Sequence, residues 1–218
     1  MKTLFRAAFA GAATVALLIA PAPAHAAQEV TLPLSEAITS LPVQDEDRTG
    51  YNRDLFKHWI DEDKDGCSTR AEVLLDEAVV APTITGKCTL SGGQWYSYYD
   101  ERTIDGPSGL DIDHVVPLAE AWDSGASEWD SGRRERYAND LGDPRSLIAV
   151  SGSSNRSKGD KDPQDWMPPA ESAHCRYVEE WTVVKVRWQL AVDEVELAAL
   201  QDVAAGCEDV AITVQLAD

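Results

Sequence analysis

Four cysteines constrain this chain more than any other feature. Cys67, Cys88, Cys175 and Cys207 all follow a leader with the features of an export signal. In residues 1–26, Lys2 and Arg6 supply a positive start, and Ala7 to Ala20 is almost wholly apolar. Ala24-His25-Ala26 then fits a signal-peptidase site, so cleavage near Ala26 and secretion are expected. The apolar run falls short of the roughly 20 residues a bilayer span needs, which leaves an uncleaved anchor as the alternative. An even cysteine count in an exported chain predicts two disulfides. All three pairings remain open. Sequence proximity favours Cys67–Cys88 with Cys175–Cys207, each loop contributing on the order of 3 kcal/mol. No C-x-x-C pair is present, which argues against a zinc knuckle.

The 218-residue chain has 19 basic and 38 acidic residues. Lys2 and Arg6 leave with the leader, so the exported form carries 17 basic residues, 38 acidic ones and a net charge of −21. Such a chain is soluble and self-repelling, and its overall sign opposes tight binding to nucleic acid. No later segment is apolar enough to cross a membrane. The length suits one domain with its own core.

Residues 27–49 read as an irregular lead-in with one short helix, Glu36 to Leu41, capped by Ser35 and stopped by Pro42. Asn52 to Ile60 reads as a helix. It runs into Asp61-Glu62-Asp63-Lys64-Asp65-Gly66, with Glu72 six positions beyond Gly66. This is the D-x-D-x-D-G-x5-E calcium loop, in which Asp61, Asp63, Asp65 and Glu72 would surround one Ca²⁺ in a structural role. The alternative is an acidic, solvated turn. Thr69 to Val80 leaves as a helix. Thr85 to Leu90 and Gln94 to Arg102 read as strands joined by a turn at Ser91-Gly92-Gly93. Trp95, Tyr96, Tyr98 and Tyr99 on the second strand would either stack on bases or fill core and sheet surface. Further helices are expected over Pro117–Trp122, Ser127–Asn139, Glu171–Leu190 and Glu194–Ala205, and 208–218 as a tail. The expected class is α+β, mainly helical, with a small antiparallel sheet.

Chemistry concentrates between 110 and 166. Leu110-Asp111-Ile112-Asp113-His114 alternates like a half-buried strand and stops before Pro117. Leu147-Ile148-Ala149-Val150 is a second apolar run, and Ser153-Ser154-Asn155 opens a helix. Of the three histidines after the leader, only His114 follows an acid at a strand end. Its imidazole could take a proton from water. Read alone, a buried histidine is the simpler account. Asp113 and the Asn155 amide oxygen would suit Mg²⁺, which keeps much of its water shell. A metal and a base are together sufficient for phosphodiester hydrolysis. From Arg133 to Lys161, seven basic residues face four acids. That strip would face phosphate, with Arg156 and Lys158 nearest the metal, or else be a solvated mixed-charge face.

Asp113-His114-Val115-Val116-Pro117-Leu118, Ser146-Leu147-Ile148-Ala149-Val150 and Ser154-Asn155-Arg156-Ser157-Lys158-Gly159-Asp160 resemble the HNH, or His-metal finger, endonucleases. More narrowly, with Asp63-Lys64-Asp65-Gly66-Cys67-Ser68-Thr69-Arg70-Ala71-Glu72-Val73-Leu74, Trp95-Tyr96-Ser97-Tyr98-Tyr99 and Asp162-Pro163-Gln164-Asp165-Trp166, they resemble secreted actinobacterial proteins carrying the GmrSD C-terminal type of HNH domain. The resemblance covers roughly 50–207. It implies a ββα-metal core over 110–166, His114 as general base, and a divalent metal on Asp113 and Asn155. Many HNH proteins place an asparagine at the start of the second strand to fix the base. Ser146 stands there, and Asn139 is the candidate replacement, with a helix C-cap as its alternative role. The expected activity is a weakly binding, salt-sensitive nuclease acting on DNA, with RNA as a second candidate, with little sequence specificity and no obligate protein partner. The competing expectation is a calcium-stabilised secreted binding or envelope-associated protein whose HNH unit is inactive. No G-x-S-x-G elbow supports a serine hydrolase.

Overall fold

The computed structural model describes residues 28–218; the leader, on which the export expectation rests, lies outside the described residues. The elements in chain order are β1 (Glu29–Pro33), α1 (Leu34–Thr39), α2 (Thr69–Asp76), β2 (Thr83–Thr85), β3 (Thr89–Ser91), β4 (Gln94–Ser97) and β5 (Arg102–Asp105). They continue with β6 (Leu110–His114), α3 (Leu118–Asp123), α4 (Ser131–Ala138), β7 (Leu147–Ser151), α5 (Gly152–Lys158), α6 (His174–Trp188), α7 (Glu194–Ala204) and β8 (Ala211–Gln215). The strands form two-stranded antiparallel sheets, pairing β1 with β8, β2 with β3, β4 with β5 and β6 with β7. The α+β class is therefore observed, with several small sheets in place of one. Both disulfides form in the proximity-favoured pairing, Cys67–Cys88 and Cys175–Cys207.

Helix α6 is the centre of the main core. Tyr177, Val178, Trp181, Val183, Val184 and Trp188 are buried along it. It also buries Lys185, whose Nζ donates to Glu120 Oε1 at 2.7 Å and Glu196 Oε2 at 3.1 Å. A buried cation needs such partners, and these come from α3 and α7, so the ion cluster ties three helices together.

Three expectations are corrected. The lead-in and the tail are not irregular at their ends: Glu29↔Gln215 through Pro33↔Ala211 pair as β1 and β8. Ile212 and Val214 point inward from β8. Each strand is too short to be read alone, and its partner lies at the other end of the chain. Ser35 does not cap α1; its hydroxyl donates to Asp209 Oδ2 at 2.8 Å, and Pro33 holds the cap position. The two strands expected over 85–102 are four. Gly86, with φ +59°, turns the first hairpin. Ser97 Oγ bonded to Asp100 Oδ1 at 2.6 Å and Glu101 at φ +53° turn the second. Of the aromatic run, Trp95 and Tyr99 are fully buried, Tyr98 nearly so, and only Tyr96 is exposed.

The largest departure is 52–60. Only Arg53–Leu55 forms a short 3-10 turn, so no helix enters the acidic loop. Tertiary partners claim the backbone that a helix would use. Asn139 Nδ2 donates to Lys57 O at 2.8 Å, Ile60 N donates to Asn139 Oδ1 at 3.1 Å, and Thr69 N donates to Ile60 O at 2.7 Å. Phe56 is buried against Trp122 and Tyr137, and Trp59 adopts φ +61°. The segment is an extended strap laid over the end of β6.

Strands β6 and β7 are buried on both faces. Ile148 and Val150 pack into the main core, whereas Leu110, Ile112, Leu147 and Ala149 pack with Val73, Leu74 and Trp95. The outer edge of β7 is closed by Glu77, whose Oε2 accepts Ala149 N at 2.9 Å. Chain then passes directly from β7 into α5, which Ser151 caps through Ser154 N.

Candidate active site

The candidate side chains gather where β6 ends. Asp113 pairs with Ile148 and His114 with Leu147, so the two side chains leave opposite faces of the sheet. Both nevertheless line one cleft of about 300 Å³ at the strand terminus, together with Asn155, Arg156, Asp160 and Arg53. The strand end lets neighbours on opposite faces reach a common space.

His114 is 6 % exposed, and its Nε2 lies 2.9 Å from Ala138 O. A carbonyl only accepts, so Nε2 carries the proton and Nδ1 keeps the lone pair. Burial pushes the imidazole down to about 3; the bond to Ala138 opposes this, and the charge of Arg53 adds to it. The ring is therefore uncharged at neutral pH. Trp59, with ring centroids 5.4 Å away, and Tyr137, stacked at 6.4 Å, wall it in.

Asp113 sits at the base of the cleft. Its Oδ2 accepts the Tyr99 hydroxyl at 2.6 Å and the Lys158 ammonium. Lys158 is fully buried, and Nζ also donates to His114 O at 2.9 Å and Val115 O at 2.8 Å. Three acceptors for three N–H groups match an ammonium, and two donors on one oxygen match a carboxylate. Burial pushes the carboxyl up and the ammonium down, while each charge holds the other ionised; the bonding assigns an ion pair. Asp113 Oδ1 accepts no hydrogen bond among the described residues. Asn155 donates Nδ2 to Asp111 Oδ2 at 3.4 Å, which leaves its own oxygen available. Asp113 Oδ1 and Asn155 Oδ1 are hard oxygen donors on one cleft, and this donor set fits Mg²⁺.

Two sequence expectations change here. Lys158 does not bind phosphate, because its nitrogen lies beneath β6 and all three protons are taken. The basic strip is not a phosphate-facing strip either. Arg133 and Arg134 lie over Trp129 and Trp122 and donate to backbone carbonyls. Arg145 pairs with Asp143 at 2.7 Å, and Lys161 donates to Ser157 O at 2.8 Å. Arg156 alone of the strip lines the cleft, 3.1 Å from Asp111.

Asn139 does not touch His114. Besides its two bonds to the strap, Oδ1 accepts from Thr69 Oγ1 at 2.9 Å and Nδ2 donates to Glu135 O at 2.8 Å. It also follows α4 as the C-cap residue. The His114 ring is held by the preceding carbonyl, Ala138 O, and Asn139 fixes that carbonyl's neighbourhood. Ser146 is likewise remote from the ring: its hydroxyl donates to Asp140 Oδ2 at 2.9 Å. Asp140 accepts Arg187 through both oxygens, at 2.7 and 2.8 Å, and Trp188 Nε1 at 2.8 Å, which pins the turn after α4. Sequence reasoning missed Arg53 and Tyr99 as site residues. Tyr99 was legible only as part of an aromatic run, and Arg53 stood in a segment read as a helix.

Lys158→Met should lower the unfolding free energy by about 3–5 kcal/mol, because it strands a buried carboxylate. Chemical denaturation checks this. A stable variant with weakened DNA binding would instead restore the phosphate-contacting role.

Comparison with known proteins gives the relationship. Residues 77–203 match the family described as GmrSD restriction endonucleases, C-terminal domain. An uncharacterized secreted protein of the fungus Arthroderma benhamiae is 42 % identical over 158 residues, covering 72 % of this chain and 76 % of the relative. No solved structure matches. No helix among the described residues is long and apolar enough to cross a membrane. With more than half of its length matched, the chain belongs to the family of GmrSD restriction endonuclease C-terminal domains.

Proposed function

We propose that this protein is a secreted, metal-dependent endonuclease of the HNH type. It hydrolyses phosphodiester bonds of DNA, and RNA is its second candidate substrate. The observation that carries the reading is His114: a neutral imidazole with Nε2–H spent on Ala138 O and Nδ1 free, beside Asp113 and Asn155 in one cleft. The family supports nuclease chemistry, and the relative's description supports secretion.

His114 Nδ1 takes the proton of the attacking water. Ala138 O holds the tautomer and orients the ring, and it stabilises the imidazolium that forms. Asp113 Oδ1 and Asn155 Oδ1 would hold a divalent cation, Mg²⁺ in our reading. When bound, that ion supplies charge neutralisation for the phosphate and the leaving oxygen. Lys158 and Tyr99 keep Asp113 turned toward the cleft. The cleft lining offers charge and amide groups rather than a helix or ribbon shaped for a groove, so backbone contacts dominate and sequence preference is weak.

Plasmid nicking with Mg²⁺ or Mn²⁺ tests the proposal. Wild type should cleave, and His114→Ala should lose about 10²–10⁴-fold in rate. Cleavage by neither protein across metals and salts would support the inactive binding-protein alternative.

We also propose that Ca²⁺ binds the loop at Asp61, Asp63 and Asp65, whose carboxylate oxygens lie within 4.8 Å of one another. Burial and the charges of Asp63, Asp65 and Asp61 raise the pKa of Glu72, which would close the shell. The Cys67–Cys88 bridge fixes the loop's exit. The Tm should rise in saturating calcium relative to EGTA; an unchanged Tm makes the loop a solvated turn.

A further inference from the structure

Arg53 is the cation of the cleft whose charge is not already matched. It projects from the 3-10 turn of the strap, is exposed, and lines the cleft with Asp113, His114 and Asn155. It forms no ion pair among the described residues. Two other charges of the cleft are paired, Arg156 with Asp111 at 3.1 Å and Lys158 with Asp113; Asp160 has only Arg48 at 3.7 Å, and Arg48 is held by Asp123 at 2.6 Å. An anion entering this space meets a guanidinium that no carboxylate holds, on the same cleft as His114.

The backbone beneath Arg53 is held in place on both sides. Asn52 Oδ1 accepts Asp54 N at 2.9 Å, Phe56 is buried three residues on, and Asn139 pins Lys57 O and Ile60 N. Preorganisation of this kind lowers the entropy lost when a charged side chain engages a ligand. Arg53 also lies outside the matched residues 77–203, so the strap brings to the site a residue that the matched segment does not contain.

We propose that Arg53 is a phosphate-binding residue of this site, its guanidinium contacting a non-bridging oxygen of the nucleic-acid phosphate held over His114. The inference rests on the nuclease reading for the identity of the anion. A guanidinium suits the task because its planar fork can give two parallel N–H bonds to phosphate. In a chain with a net charge of −19, one matched contact in the cleft matters more than long-range attraction.

The test separates binding from turnover. A labelled mixed-sequence DNA duplex is titrated with full-length His114→Ala protein, alone and combined with Arg53→Gln, Arg53→Lys or Arg102→Gln. Arg102 is 60 % exposed on β5, outside the cleft, and controls for the loss of one positive charge. Arg53→Gln should weaken binding about ten-fold or more and reduce the slope of log K against log salt by about 0.9. Arg102→Gln should do neither, and Arg53→Lys should keep the slope while losing part of the affinity. Equal behaviour of Arg53→Gln and Arg102→Gln overturns the proposal. Nicking by the same variants in a wild-type His114 background distinguishes the two readings. Absence of nicking with Arg53-dependent binding contradicts the hydrolytic function and leaves the phosphate contact standing. Nicking unaffected by Arg53→Gln contradicts the phosphate contact and leaves the function standing.

Discussion

The buried ammonium of Lys158 is the interaction on which the site depends. It ends α5 and reaches under β6 to Asp113, His114 O and Val115 O. One side chain therefore fixes the helix to the strand end and orients the carboxylate. It also sets Asn155, which lies one turn earlier on the same face of α5. Burying a charge is costly unless every proton finds an acceptor. Here every proton does, and the geometry is correspondingly strict. The same logic recurs at Lys185, where Glu120 and Glu196 hold α3, α6 and α7 together. Both lysines serve the architecture and neither meets solvent.

A second constraint is the imidazole. His114 needs a neutral ring, a fixed tautomer and an open Nδ1. Burial supplies the first and Ala138 O the second. The carbonyl is held in turn by the turn after α4, through Asn139 on one side and the Asp140–Arg187 pair on the other. Asn139 joins this turn to the strap that carries Arg53 and Trp59. A single asparagine thus couples the orientation of the base to the wall of the cleft without touching either reacting group.

Much of the site was legible in the sequence because its residues are close neighbours on regular elements. The alternation over 110–114, the apolar run at 147–150 and the polar start of α5 gave a strand, a strand and a helix. The cysteine spacing gave the right bridges. What was not legible depends on contacts distant in sequence. β1 and β8 are each five residues long and find each other across the whole chain. The strap at 52–60 has a helical apolar spacing, yet Asn139, about 80 residues away, takes the backbone groups a helix would pair. Lys158 looked like a surface cation because nothing in Asn155-Arg156-Ser157-Lys158 reveals which of the two cations turns inward. The arginines at 133, 134 and 145 looked like a phosphate strip because charge spacing does not show that two of them lie over tryptophans and the third closes on Asp143 two residues before it.

The central claim is that Asp113 and Asn155 present oxygens to one divalent cation beside a neutral His114. Anomalous diffraction from crystals soaked in Mn²⁺ measures this most directly. The account predicts an anomalous peak in the cleft within coordination distance of Asp113 Oδ1 and Asn155 Oδ1, lost in Asn155→Ala crystals. A cleft without a peak in saturating Mn²⁺, or a peak that survives Asn155→Ala unchanged, would contradict it.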